Sequence, residues 1–180
     1  MSAKHINLSL LKKQAYDLLE ERGVKIEDIG QIVFDLQVKY IPNLTMEECI
    51  EHLHAVLEKR EVQNCVITGI ELDIAAEKGK LSPLLCDILM RDEGLYGIDE
   101  ILILSIVNVY GSIGLTNFGY VDKLKPGIIG ILNSEKSERC NTFIDDIVGA
   151  LAAAAASRIA HSQPQTDGVS IPPKYPNSMD

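Results

Sequence analysis

The chain has 180 residues, 46% of them hydrophobic, which is enough for one domain with a substantial core and short for two complete domains. Its formal net charge of -9 argues against a nucleic-acid partner, because proteins that bind phosphate backbones display clustered Lys and Arg. An acidic protein that handles an anionic ligand needs a bridging cation.

Helical spacing of apolar residues runs along most of the chain, whereas strand-like alternation never persists for more than a few residues. A first helix is predicted to begin near Leu8 and to end at Gly23, and a second one to stop at Pro42. Thr45 followed three residues later by Glu48 forms a capping box, which starts a third helix. The sequence therefore predicts an all-α fold.

The middle of the chain contains its most apolar segment. A fourth helix is predicted to stop at Gly79, and Ser82 with Pro83 is a strong start signal for a fifth. Residues 98–109, "IDEILILSIVNV", are apolar on nearly every side, as in a central buried helix or a membrane-inserted one. This run is shorter than the roughly 20 residues of a spanning helix, so we predict a buried central helix in a compact multi-helix bundle.

The last predicted helix, at about residues 142–160, contains "GALAAAAASRIA". Small residues over two turns allow neighbouring helices to approach closely, so this helix is predicted to form the tight centre of the bundle. Beyond residue 161 the composition shifts to Pro, Gln, Ser and Asn. We therefore expect one helical domain over residues 1–161 and a flexible C-terminal tail over residues 162–180.

Cysteine usage and the N-terminus indicate a cytoplasmic protein. The four cysteines lie far apart without a CxxC pair, as is typical of reduced core thiols in the cytosol. The N-terminal stretch "MSAKHINLSLLKKQ" is amphipathic and lacks the apolar region and cleavage site of a signal peptide.

Carboxylates stand at the starts of two apolar helices. Asp99 and Glu100 open the segment at residues 98–109, and Asp145 and Asp146 lie in the first turn of the Ala-rich helix. Acids in a first turn stabilise the helix dipole by about 0.3 to 1 kcal/mol, and most such acids do nothing else. Helices that are apolar all round share one core, however, so their first turns are expected to converge.

Converging carboxylates repel one another and raise one another's pKa unless a cation lies among them. Oxygen-rich clusters suit Mg²⁺ or another divalent cation. Gly94 and Gly97 allow the preceding loop to fold tightly enough to direct Asp92 at the same point.

Three segments carry a resemblance to a known family. "DEGLYGIDEI" resembles the D-x-G-x-x-x-x-D-E pattern of the phosphatidylglycerophosphatase A family, "YVDKLKP" is similar to its F-D-x-x-K-P, and "FIDDIVGALAAAAA" is similar to its closing D-D-x-x-A-G-x-x-A helix. The three occur in the family's order. "GIELDIAAE" also resembles the helix before the first motif, with Asp73 at its acidic position, so the likeness covers about residues 68–160.

The resemblance implies Mg²⁺-dependent removal of the terminal phosphate from phosphatidylglycerol phosphate or a related phosphomonoester. It implies four catalytic residues: Asp92, Asp99, Glu100 and Lys125. It implies seven metal ligands: Asp73, Asp92, Asp99, Glu100, Asp122, Asp145 and Asp146. Lys125 would add a point charge beside the phosphate, or it is a solvated lysine before Pro126.

Family members carry membrane-spanning helices after the D-E motif, whereas here the 21 residues "ILILSIVNVYGSIGLTNFGYV" separate Glu100 from Asp122. The chain thus resembles a soluble, shortened branch, for which we expect at most peripheral membrane contact and leave homo-oligomerisation open. Within this segment, "VYGSIGLTNFGY" is interpreted either as a glycine-hinged turn that re-enters the bundle or as a loop that approaches a phosphate through its backbone.

Two functions from different classes remain open. The first is a cation-dependent phosphatase acting on a phosphorylated lipid or a related monoester. The second is a non-catalytic helical protein, for interaction or ion binding, that retains the acidic cluster. They differ in whether the acids surround a cleft with room for a phosphate.

Overall fold

The computed structural model describes residues 7–134 and 139–163. Within these ranges there are α-helices and one short 3-10 helix, and no strand. The helices of the first half are α1 (Leu8–Glu21), α2 (Ile26–Gln37), α3 (Met46–Leu57), α4 (Arg60–Glu77) and α5 (Pro83–Met90). Those of the second half are α6 (Ile98–Leu102), α7 (Leu104–Val107), the 3-10 helix (Asn108–Tyr110), α8 (Gly111–Leu124), α9 (Ile128–Ser134) and α10 (Ile144–Ser162). The predicted all-α fold is confirmed.

Local signals place the helix boundaries of the first half. The Thr45 hydroxyl accepts a hydrogen bond from the Glu48 backbone N–H at 3.2 Å, and the Glu48 carboxylate accepts one from the Thr45 N–H at 2.9 Å. Ser82 caps α5 by accepting from the Leu85 N–H at 3.4 Å. Gly23 follows α1 with φ of +83°, a left-handed conformation that favours glycine. The predicted capping box of α3, the predicted cap of α5 and the predicted end of α1 are therefore confirmed.

The Ala-rich helix α10 forms the centre of the bundle. Nearly every residue of α10 is buried, and the helix packs against α2, α3, α4, α7, α8 and α9. Its contact with α4 depends on Gly69, because a Cβ there would lie 2.5 Å from the Ile147 Cδ1 atom. Small residues allow this close approach on all sides, as the sequence predicted.

The segment at residues 98–109 is not the single buried helix that the sequence predicted. It is divided into α6, α7 and the 3-10 helix, and Ile98 and Ile101 are 51% and 62% exposed. Its inner residues, such as Ile103 and Ile106, are buried. Because the outer residues are apolar as well, periodicity could not distinguish a half-exposed segment from a buried helix.

The chain reverses at Gly111, where φ is +65° and ψ is -150°, and returns as α8, which packs against α7 and α10. The glycine-hinged turn is confirmed, and the loop interpretation of "VYGSIGLTNFGY" is wrong. We call the segment Ile98–Leu124, which has 27 residues, the hairpin. In its most apolar stretch of 18 residues the mean hydropathy is 1.6, and 22% of that stretch is buried. By length and composition alone it is apolar enough to cross a membrane.

Helix α9 was not predicted, since its seven residues give too short a pattern. The predicted tail at residues 162–180 lies outside the described residues from position 164 onward.

Candidate functional site

Four parts of the fold meet around one cavity of about 130 Å³. They are the loop after α5, the first turn of α6, the C-terminal end of α8 and the first turn of α10. The cavity is lined by Asp92, Glu93, Gly94, Gly97, Asp99, Glu100, Asp122, Lys125, Thr142, Asp145 and Asp146. We call it the acidic cavity. The structure thus brings together six of the seven acids that the sequence singled out, and Lys125 with them.

The two acids of α10 are held away from bulk water. Asp145 and Asp146 are 4% and 6% exposed, although they occupy the first turn of a helix. The Asp145 carboxylate accepts a hydrogen bond from the Asp146 backbone N–H at 2.9 Å. Acids that serve only a helix dipole have no need of burial, so helix capping alone does not account for this arrangement.

Lys125 lies among the carboxylates of α8 and α10. Its Nζ atom is 2.7 Å from Asp122 Oδ1, 3.1 Å from Asp145 Oδ2 and 3.5 Å from Asp146 Oδ1. Burial alone would lower the pKa of Lys125, but Asp145, Asp122 and Asp146 outweigh it and raise that pKa. The ammonium therefore stays charged, and the interpretation of Lys125 as a solvated lysine is wrong.

Burial and neighbouring charge raise the pKa of two acids of the cluster. Burial, followed by the charge of Asp145, raises the pKa of Asp146 to about 8, although Lys125 at 3.5 Å acts in the opposite direction. Burial also raises the pKa of Asp99, and the charge of Asp92 adds to the effect. The Asp99 Oδ1 atom is buried without a hydrogen-bond partner. Among the described residues, the lining of the cavity thus carries more acids than bases.

Two residues of the cavity have a strained backbone. Asp92 has φ of +49° and Lys125 has φ of +46°, in the left-handed region that non-glycine residues rarely adopt. Such conformations cost on the order of 1 kcal/mol each and cluster at functional sites. Both follow the end of a helix, where the left-handed conformation closes the last turn: the Asp92 N–H donates to the Leu89 carbonyl and the Lys125 N–H to the Val121 carbonyl.

The chemistry of the donor set fits a hard divalent cation. The cavity offers carboxylate oxygens from three helices, and the buried, unpaired Asp99 Oδ1 is a ready ligand atom. Among the described residues, no three His, Cys, Asp or Glu side chains already stand at ligand spacing. The carboxylates of α8 and α10 turn toward Lys125 instead, so binding a cation requires some of them to rotate away from it.

Comparison with known proteins places these motifs in a family. The family model described as phosphatidylglycerophosphatase A matches residues 23–161, which include every residue of the acidic cavity. The chain belongs to the phosphatidylglycerophosphatase A family.

Relatives of this family member are similar over nearly their whole length. The uncharacterized protein YutG of Bacillus subtilis (strain 168) is 54% identical over 159 residues, which are 88% of this chain and 96% of YutG. The crystal structure of the low temperature requirement C protein from Listeria monocytogenes is 58% identical, with a TM-score of 0.84, over 87% of this chain and 98% of that one. A protein of unknown function from Bacillus stearothermophilus is 62% identical, with a TM-score of 0.81, over 83% of this chain and 93% of that one.

Asp73 differs from the other family acids in its surroundings. It does not line the acidic cavity, and its carboxylate accepts hydrogen bonds from the Phe143 N–H at 3.2 Å and the Ile144 N–H at 3.1 Å. Burial raises the pKa of Asp73 to about 7, although the hydrogen bonds act in the opposite direction. Asp73 thus caps α10 from a neighbouring helix, and its role as a metal ligand stays a prediction.

Sequence reasoning missed the network that holds the segment before α10. Arg22 donates to the Cys140 carbonyl at 2.6 Å and to the Asn141 side-chain oxygen at 2.7 Å, and it pairs with Glu77 at 2.7 Å. The Thr142 hydroxyl donates to the Leu89 carbonyl at 2.7 Å. This network fixes where α10 begins and therefore where its two acids point. Arg22 is 118 residues from Cys140, and no local pattern signals the contact.

Asp73→Ala should lower the free energy of unfolding by about 2 to 4 kcal/mol, because it leaves two buried backbone N–H groups without their acceptor. Thermal denaturation would show a fall of about 4 to 16 °C for a domain of this size. Asp87→Ala, which removes a half-exposed carboxylate paired with Arg91, is the control and should change stability by less than about 1 kcal/mol. Equal losses in the two variants would contradict the capping role.

Proposed function

We propose that the acidic cavity hydrolyses a phosphomonoester with the help of Mg²⁺, and that phosphatidylglycerol phosphate is the first substrate to test. One observation carries the proposal: acids from three separate family motifs converge on one cavity, where Lys125 lies among them. Family membership supports the reaction class.

The residues divide into two groups by their chemistry. Asp99, Glu100 and the acids of α8 and α10 would hold the cation, which when bound neutralises phosphate charge and lowers the pKa of a water molecule. The Lys125 ammonium, released from part of its ion pairing, contacts a phosphoryl oxygen. Asp92, carried on a loop, accepts the proton of the attacking water.

The reaction is a substitution at phosphorus. The water oxygen forms a bond to phosphorus, the ester P–O bond breaks, and the departing oxygen takes up a proton to give the alcohol and inorganic phosphate. The cavity is lined by polar residues and glycines and has room for a phosphoryl group with an ion, so the alcohol portion stays outside it. A lipid and a small phosphomonoester present the same group to it.

A second function has an observation of its own. Lys125 already pairs with Asp122, Asp145 and Asp146, and the described side chains form no ready ligand set. This favours a non-catalytic helical protein in which the cluster locks α8 to α10 through ion pairs.

Phosphate release separates the two functions. The wild-type protein should release phosphate from phosphatidylglycerol phosphate in mixed micelles, or from glycerol 3-phosphate, only when Mg²⁺ is present. Lys125→Gln should reduce that rate about a hundredfold, because it removes the ammonium that lies among the acids of the cavity. Lys123→Gln, on the same helix but outside the lining, should stay within about twofold. Equal rates for the two variants would contradict the role of Lys125, and no release from either substrate would favour the structural function.

A further inference from the structure

An ion pair at the ends of two helices holds one residue of the chain from both sides. Arg22 follows the last residue of α1, Glu77 is the last residue of α4, and their side chains pair at 2.7 Å. The Arg22 Nη2 atom donates to the Cys140 carbonyl at 2.6 Å, and the Glu77 Oε1 atom accepts from the Cys140 backbone N–H at 2.8 Å. Both backbone polar groups of Cys140 are thus bound by opposite charges. We call Arg22, Glu77 and Cys140 the clamp.

The chain between the clamp and the acidic cavity has no slack. Each of residues 140–144 makes a hydrogen bond to a residue of another helix, and these partners are Glu77, Leu132, Leu89 and Asp73. Asp145 and Asp146 follow directly, and both line the cavity. A displacement of Cys140 is therefore passed on to the two carboxylates, because every residue between them is bound in turn.

The geometry of the clamp requires an arginine at position 22. This side chain is 6% exposed, and its two terminal nitrogens serve different partners. Nη1 pairs with Glu77, while Nη2 donates to the Cys140 carbonyl and, at 2.7 Å, to the Asn141 side-chain oxygen. A lysine ammonium has one nitrogen in place of two in a rigid plane, so it keeps the charge but cannot serve both positions.

We infer that Arg22 and Glu77 are positioning residues of the acidic cavity, although neither lines it. By holding Cys140 they determine where the first turn of α10 places its two acids. Displacing a catalytic group by about 1 Å costs on the order of a hundredfold in rate, so a loosened clamp should lower kcat. The effect on the rate rests on the function proposed above, whereas the effect on the first turn of α10 does not.

Arg22→Lys tests the inference by kinetics at saturating Mg²⁺. It should lower kcat for phosphate release about tenfold to a hundredfold and leave KM within about twofold, since the lining residues that meet the phosphate are unchanged. Val62→Ala is the control, because Val62 is fully buried on α4 near the end opposite Glu77. This truncation lowers stability but should leave kcat within about twofold. A merely structural role for Arg22 predicts equal kcat in the two folded variants.

Hydrogen exchange gives a readout that needs no activity. In the wild type, the amides of Cys140, Phe143 and Ile144 should have protection factors within about tenfold of one another, because the clamp and the start of α10 open together. Arg22→Lys should lower protection at residues 140–146 about tenfold more than at the buried residues of α3.

The outcomes separate this inference from the proposed function. If the wild type releases phosphate and Arg22→Lys matches Val62→Ala in kcat, the inference is overturned while the proposed function stands. If the wild type releases none, the proposed function fails and exchange decides. A selective loss of protection at residues 140–146 then supports the positioning role, and an equal loss across the protein overturns it. If Arg22→Lys does not fold, the wild-type exchange decides alone, and a Cys140 amide that exchanges far faster than those of Phe143 and Ile144 overturns the inference.

Discussion

Asp146→Asn is expected to lower kcat/KM for Mg²⁺-dependent phosphate release by about a hundredfold to a thousandfold, or about 2.7 to 4 kcal/mol of transition-state stabilisation. Asp146 is buried in the first turn of α10, within 3.5 Å of the Lys125 ammonium, so its carboxylate, when a bound cation keeps it ionised, acts at close range and under little solvent screening. The amide keeps the size of the side chain but loses the charge that binds a cation. Steady-state kinetics on phosphatidylglycerol phosphate measure the loss.

Asp99→Asn should give a loss of the same order, since Asp99 offers the buried, unpaired Oδ1 atom to the ion. The matched control is Asp87→Asn, which changes a half-exposed carboxylate outside the acidic cavity and should leave the rate within about twofold. If the two cavity variants keep more than about a third of the wild-type rate, the cavity is not the reaction site.

Mg²⁺ should raise the melting temperature of the wild type by about 5 to 11 °C at a concentration near a hundred times its dissociation constant, where linkage contributes about 2.7 kcal/mol. The physical reason is that the described residues of the cavity lining are seven acids, one base, two glycines and a threonine, so acids are in excess. Asp99→Asn and Asp146→Asn should each abolish most of this rise. Differential scanning calorimetry with and without the ion measures it.

In the ion-free protein, by contrast, Asp99→Asn and Asp146→Asn should raise the melting temperature. Folding raises the pKa of Asp146 from an ordinary 3.8 to about 8, so the folded state binds more protons than the unfolded one between these values. The ion-free wild type therefore loses stability as the pH rises from about 4 to about 8. Asp146→Asn removes the part of this loss that comes from Asp146 and should melt above the wild type at alkaline pH. Simple helix capping predicts a variant that melts lower at every pH and a wild type that does not respond to Mg²⁺.

The sequence predicted those features that local chemistry determines. The capping box at Thr45 and Glu48 satisfies the helix start from within four residues, so α3 begins where the pattern places it. The burial of α10 follows from its run of alanines, which suits no other place in a helical bundle. Convergence of the acids on α6 and α10 was predicted from a shared core, and it occurs although no residue of α6 is fully buried and only Leu102 at its end packs against that core.

Features that depend on distant partners could not be predicted. Residues 98–109 are apolar on both sides: one side packs on the core, and the other exposes apolar side chains such as Ile101. Apolar periodicity cannot distinguish the buried side from the exposed one. Asp73 stands in an acidic position of the family pattern, but only the fold shows that it faces the backbone N–H groups of α10. Arg22 lies outside every motif, and its contacts with Cys140 and Asn141 join opposite ends of the chain.

The most direct test of the central claim is phosphate release from phosphatidylglycerol phosphate by the wild-type protein in mixed micelles, measured with Mg²⁺, after chelation, and after Mg²⁺ is added back. A cavity whose carboxylates hold the ion predicts stoichiometric release of inorganic phosphate and the alcohol, loss of the activity on chelation and its full return with Mg²⁺. A rate that chelation leaves unchanged, or no release under any of the three conditions while glycerol 3-phosphate is also left intact, would contradict it.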